Sequence, residues 1–290
     1  MLLLQLTLNG VQTGMLYALI AAGFSLIFGM TKIFHAAHGA TFVIASYAFY
    51  HLYELSGLHW TIATIGAGVA AVIFGAGLYL LLYRPIQRSE ASFFTVFIAA
   101  FGAVVVVQNV VSIIYGRGFV VAQTTLSSAS EILPGLYLSP LVWISVLVAV
   151  LFFAAISLFL NKTNMGISIR ALADNPELVR TFGMNPNRLS LYVFIIGSIL
   201  AVPAGIITTI SVGVSPAVGH HVVMISLAAT IVGGIGSLTG AAIAGVILGV
   251  AENVALYWVG SQWTEAVTFA ILLLFIILRP SGIFGRAITN

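Results

Sequence analysis

Cysteine is missing from all 290 residues, which excludes disulfides, thiolate metal sites and a cysteine nucleophile. Charge is almost as scarce. Charged side chains make up 6% of the chain and hydrophobic ones 61%, with a mean hydropathy of +1.16. A soluble globule carries about a quarter charged residues, so that class is excluded. No charge precedes Lys32, and a secretory leader needs a basic start. The amino-terminal run is therefore read as mature structure, with an interfacial turn through Leu8 and then a span over residues 10–28. No G-x-x-x-x-G-K-[ST] occurs, so nothing here binds ATP as a P-loop does. Likewise there is no H-E-x-x-H and no pair of intramembrane aspartates. The net charge of +3 is too slight to argue for nucleic acid.

What remains is apolar sequence cut into membrane-length pieces, each near the ~20 residues a bilayer requires. The pieces predict an all-α, polytopic integral membrane protein with about eight or nine membrane segments, some of them discontinuous. A second apolar run reaches residue 52, residues 55–83 form a span ending at Arg84 and Pro85, and residues 91–116 form another. Within the latter, Gln108 and Asn109 read as amides that bond between helices. The Ser/Thr-rich loop 116–139 suits an outer face, and residues 140–160 span back. Residues 189–251 then hold no formal charge in 63 positions, which is room for more than two spans. Their punctuation gives a helix over 189–209 with Pro203 inside it, a loop over 213–221, a short helix over 222–232, a break over 233–240 and a further helix from Ala241. Tyr257, Trp258 and Trp263 mark an interface, and Glu265 opens the last span. Arg84, Arg88, the segment 161–188, Arg279 and Arg286 cluster on alternate turns, while residues 51–60, 213–221 and 257–264 have no Lys or Arg. The first group is thereby assigned to the cytoplasm and the amino terminus to the outside.

Residues 161–188 concentrate six of the 17 charged side chains. Asp174 or Asn175 can cap a helix that starts at Pro176, and Gly183 sits where a left-handed residue would stop it after about two turns. Leu178, Val179 and Phe182 fall on one face. Two readings stand: a stiff helix that presses into another protein, or a solvated loop that closes on its own surface.

Two glycine-bracketed breaks interrupt the apolar sequence, at residues 29–39 (GMTKIFHAAHG) and 233–240 (GGIGSLTG). Read together they form a faint internal repeat, and paired interrupted helices point to a translocation site. Gly29, Gly39, Gly233, Gly234 and Gly236 would bring backbone to the path, with His35, His38 and Ser237 as the nearest polar groups. A tight turn between antiparallel helices is the other reading of the first break. His35 and His38 share a helix face but have no carboxylate nearby, so no metal site is expected. Glu252 lies about eleven residues into the span that begins at Ala241, where it faces the bundle interior or a cavity, as a packing group or as a pore group.

The block Arg170-Ala171-Leu172-Ala173-Asp174, with Gly183 nine residues after Asp174, resembles the cytoplasmic coupling loop of ABC importer permeases. Together with residues 29–39, 233–242 and the ending RPSGIFG at 279–285, it resembles branched-chain amino acid permeases of the H-subunit type. The four blocks lie in one order over nearly the whole chain. The resemblance implies that residues 1–290 form a single ABC importer transmembrane domain containing a coupling loop at 161–188. It implies Arg170, Ala171, Asp174, Pro176, Leu178, Val179, Phe182 and Gly183 as the coupling residues. It further implies a related second permease, two ATP-binding subunits that hold the ATP, an extracytoplasmic substrate-binding protein and a prokaryotic inner membrane. No cofactor of its own and no catalytic residue is expected. Branched-chain or other hydrophobic amino acids are the implied cargo, with urea, short amides or small organic acids as near alternatives. A channel or secondary transporter would share the composition, yet would need no docking helix.

Overall fold

A computed structural model describes residues 1–89 and 92–285. Arg286, assigned above to the cytoplasmic side, lies outside the described residues. Among the described residues, seven helices are long and apolar enough to cross a membrane: α1 (Leu2–Thr31), the stretch Trp60–Arg88, α5 (Phe93–Tyr115), α6 (Pro140–Lys162), α9 (Pro186–Ser211), α11 (Leu238–Ala255) and Ser261–Leu278, which contains α12 (Thr264–Leu278). The stretch Trp60–Arg88 begins as α3 (Trp60–Gly77), continues through a π-helical segment, Leu78–Tyr83, and ends as α4 (Arg84–Arg88). Two shorter helices, α2 (His38–Tyr50) and α10 (Val218–Gly233), are set among them. α7 (Asn164–Asp174) and α8 (Pro176–Thr181) join α6 to α9. A two-stranded antiparallel hairpin, β1 (Ser130–Leu133) and β2 (Leu136–Leu138), sits in the loop at the opposite end.

Burial separates core from periphery. In their most apolar windows α1 is 72% buried and α9 78%, against 6% for the last helix, whose outward side chains are left for lipid. α1 is one unbroken helix from Leu2 rather than an interfacial turn followed by a span. Its first turns have no Pro and no charge to stop them, and Gln5 is held through Tyr137 by its Oε1 accepting from the Tyr137 N–H (2.9 Å) while its amide donates to the Tyr137 carbonyl. Small residues let α1 lie against α11: a Cβ on Gly14 would come 2.8 Å from Val246 Cα, and one on Gly249 2.3 Å from Gly14 Cα. Gly10 meets Val250 and Gly245 meets Ala18, so the two helices run antiparallel.

The centre is built from two interrupted helices. α1 ends at Lys32, a left-handed residue (φ 58°) whose ammonium donates to the Gly29 carbonyl at 3.0 Å. Residues 32–37 then turn back into the bundle, so α2 starts beside the middle of α1, where His38 Nε2 meets the Ile20 carbonyl at 3.1 Å. α9 does the same in the opposite direction. It ends at Ser211, residues 212–217 turn back, and α10 starts inside the bundle, with its second residue, Gly219, against α2. A Cβ on Gly39 would lie 2.1 Å from the Gly219 carbonyl oxygen and 2.8 Å from Val223 Cγ2. One on Gly219 would lie 3.2 Å from both the Gly39 oxygen and Val43 Cγ2. Each glycine thus meets the other's carbonyl and the valine four residues beyond it, the reciprocity of a local two-fold. The helices around follow suit: α2 packs on α3 and α9, and α10 packs on α11 and α1.

This arrangement corrects the pairing of breaks. The partner of residues 29–39 is the α9–α10 connection, whereas residues 233–240 are a tight turn between α10 and α11. As expected, α9 holds Pro203 within it. Three other expectations change. α10 begins at Val218 rather than at residue 222, directly after the turn that contains Pro216. Asn109 is exposed and donates to its own helix, at the Val105 carbonyl, 2.8 Å away, rather than to a neighbour. Glu252 stands in the last turn of α11, not deep in the span.

Candidate functional site

The coupling segment is organised from its caps. Thr163 accepts from the Gly166 N–H to start α7, whose Ile169 and Leu172 are buried. Asn175 Oδ1 accepts from the Glu177 and Leu178 N–H groups, both at 3.0 Å, and Pro176 follows at the position where its missing N–H is harmless. α8 ends in a paired cap: the Gly183 N–H donates to the Arg180 carbonyl (2.9 Å) and the Met184 N–H to the Val179 carbonyl (3.2 Å), with Gly183 at φ 76°. Val179, expected on the outward face with Leu178 and Phe182, is 1% exposed and packs inward with the main core. It holds the helix down. Leu178 and Phe182 are 52% and 73% exposed, at the end of the bundle remote from the hairpin. Beside them a hollow of about 350 Å³ is lined by Arg180, Met184 and Asn187 among others. Arg170 donates to Asn161 at 2.9 Å, and the Ala171 carbonyl accepts from Asn175, which ties the two helices together.

The residues expected along a path do not gather in one place. Gly29 abuts Gly236, where a Cβ would come 2.6 Å from its Cα, and Gly233 and Gly234 pack on Gly240 and on residues 282–285. Ser237 accepts from the Gly240 N–H at 3.0 Å and so caps α11. These five therefore share the turn at the α8 end. Gly39, His35 and His38 lie at the central crossing, both histidines fully buried. His35 Nδ1 pairs with the Tyr83 hydroxyl at 2.8 Å, and its ring meets Phe194 edge-on. Because a carbonyl can only accept, His38 Nε2 carries the proton toward Ile20, and its Nδ1 is a bare acceptor with no partner. Among the described residues no cluster of three or more His, Cys, Asp or Glu could hold a metal.

Glu252 occupies a third place, the hairpin half of the bundle. It is 7% exposed, and its Oε2 has no hydrogen-bond partner. The Tyr17 hydroxyl lies 3.2 Å from His221 Nε2, and His221 Nδ1 lies 3.0 Å from Glu265 Oε1. Tyr17 and His221 also line a cavity of about 470 Å³ between α1, α9, α10 and the hairpin-side loop. The sequence reading missed this cavity. Its signal was present: Asn9, Gln12, Thr13 and Tyr17 recur at helical spacing in a charge-free helix and face it together.

Residues 6–276 match the family described as branched-chain amino acid transport system / permease component. The chain belongs to that family. A high-affinity branched-chain amino acid transport system permease protein of Salmonella typhimurium is 31% identical over 98% of this chain and 96% of its own length. Its counterpart of the same description in Pseudomonas aeruginosa is 29% identical over the same shares. Among solved structures, PsaBC from Streptococcus pneumoniae in complex with Fab covers 94% of this chain and 91% of its own, with TM-score 0.55 and 14% identity, so the likeness is one of fold. As a member of this permease family the chain is a multi-pass membrane subunit of an ABC importer, a transport component. The capped helix α8 and the interrupted helices at Gly39 and Gly219 are the parts of that permease in which a docking element and a path would be sought.

Proposed function

We propose that this chain is one of two membrane subunits of an ATP-driven importer in a prokaryotic inner membrane, forming half of the route for branched-chain or other hydrophobic amino acids. A related permease supplies the other half, two ATP-binding subunits dock at the α8 end, and an extracytoplasmic binding protein delivers cargo at the hairpin end. The cargo follows from what the relatives are described as transporting. The observation that carries the coupling is α8 itself: anchored inward by Val179, capped at both ends, and presenting Leu178 and Phe182 outward, both exposed among the described residues. Two large apolar side chains held rigidly on a polar segment suit a pocket on a partner. ATP hydrolysis belongs to the partners, and force reaches the membrane through α8 and α7, whose buried faces bear on α9 and α1.

Affinity purification of the detergent-solubilised permease from its native membrane tests this. The expected result is co-purification of ATP-binding subunits and a second permease, with the ATP-binding subunits largely lost from Phe182→Asp while the permease remains in the membrane. Recovery of the full assembly with the variant would contradict α8 as the docking element.

A further inference from the structure

The loop that follows α5 is laid across the end of α9. Val120 and Val214 exchange both backbone hydrogen bonds, each N–H donating to the other's carbonyl at 2.9 Å. Beside them the Ala122 N–H donates to the Thr209 carbonyl at 3.1 Å, and the Gln123 N–H donates to Glu54 Oε2 at 2.9 Å. The fit is close. Gly213 is left-handed (φ 79°), and a Cβ there would come 2.8 Å from the Val120 carbonyl oxygen and 2.7 Å from Val121 Cγ2. Little else holds the loop down, because Ala122 is the one buried residue between Gly116 and Ala129. A segment held by a few solvent-side backbone bonds and almost no apolar contact is at the low end of local stability.

The same loop and the α9–α10 turn form the mouth of the 470 Å³ cavity. Of the residues lining that cavity, the exposed ones are Phe119 and Ser127 from the loop and Val212 from the turn. Access from outside therefore passes between loop and turn, and the Val120–Val214 pair ties those two sides together. α9 connects this closure with the other end of the molecule. It starts at Pro186, three residues beyond the Gly183 cap of α8, and its Thr209 carbonyl holds the loop. Its 26 residues make one continuous helix roughly 40 Å long at 1.5 Å per residue.

We propose that residues 119–123 are a latch over the outer mouth of this cavity. The mouth is shut while Val120 and Val214 are paired and opens when that pair parts, with α9 carrying the movement from α8. Water on the outer face takes over the freed N–H and carbonyl groups, which keeps the cost of opening small. The inference rests on the transport reading above and adds a controlled entrance to it.

The chain has no cysteine, so an engineered pair is unambiguous. Residues that exchange both bonds in an antiparallel pair stand about 5.5 Å apart at Cα, within disulfide range. Val120→Cys combined with Val214→Cys, oxidised in the purified assembly and reconstituted with binding protein outside and ATP inside, should take up radiolabelled leucine only at background rate. Reduction with dithiothreitol should restore uptake, and each single variant treated with the same oxidant should keep the parent rate. A second measurement needs no transport. A membrane-impermeant maleimide added to the assembly in nanodiscs should label Thr13→Cys, on the cavity wall, up to about tenfold faster when Val120→Pro removes one of the paired bonds. Undiminished uptake by the oxidised pair, with its crosslink verified by mass spectrometry, would overturn the latch, as would equal labelling with and without Val120→Pro. Should the two cysteine substitutions impair uptake even when reduced, the labelling comparison decides. If the parent assembly takes up no leucine, the transport reading falls and the labelling comparison still decides the latch.

Discussion

Gly39 and Gly219 illustrate how much rests on single residues at the crossing. The two are not equivalent in clearance, since a Cβ on Gly39 would come 2.1 Å from a backbone oxygen and one on Gly219 would come 3.2 Å. The first distance forces the backbones apart, and the second asks a neighbour to give by a few tenths of an ångström. Gly39→Ala should therefore destabilise the permease by about 1–3 kcal/mol, the usual cost of overpacking, and Gly219→Ala by clearly less. The midpoint of thermal unfolding in detergent reads the difference, and equal midpoints would contradict the crossing geometry. His38 was legible as a polar interruption, but its role was not. What fixes it is the Ile20 carbonyl, eighteen residues earlier, and the bare Gly23 surface against which the ring lies, 2.9 Å from where a Cβ would stand. No local pattern announces such a pairing. Glu252 was legible as a carboxyl that must be sheltered, whereas its neighbours come from three other helices and could not be read from spacing.

At the scale of the element, α8 was the most readable part of the chain because Asn, Pro and Gly each act within a few residues of themselves. Its extent and its stop at Gly183 follow from those rules. The face it buries does not, since that depends on how the whole segment rests on α7 and α9. Val179 and Phe182 consequently separate in what substitution should do. Val179→Asp buries a charge without a partner and should cost roughly 3 kcal/mol or more, seen as loss of folded permease from the membrane. Phe182→Asp adds a charge at an exposed position and should leave the permease folded. Gly183→Val tests the cap: a β-branched residue at φ 76° costs on the order of 1–2 kcal/mol and should speed hydrogen exchange at the Met184 amide. Unaltered protection there would mean that the left-handed cap does not hold α8. The half-length helices α2 and α10 were harder to read. Embedded in continuous apolar sequence, a helix that starts in mid-bundle has the same composition as one that crosses, and only its depth distinguishes it.

For the whole molecule, composition alone supplied the class, because no soluble core could absorb so much apolar sequence. The number of segments followed from length: among the described residues, seven long helices and the two shorter ones are what apolar runs near 20 residues allow. The reversed correspondence of α1–α2 with α9–α10 escaped the sequence because a two-fold within the bundle needs only matching shapes, and the two turns share little beyond Ala37-x-Gly39 and Ala217-x-Gly219. That correspondence joins two similar halves where the Gly39 and Gly219 backbones touch, with α8 at one end of the bundle. The most direct measurement of this account is uptake of radiolabelled leucine into proteoliposomes containing the purified permease assembly, with binding protein outside and ATP inside. The account expects leucine to accumulate only with hydrolysable ATP, and Phe182→Asp to abolish accumulation while the permease is present at its normal level. Accumulation without ATP, or undiminished accumulation by that variant, would contradict it.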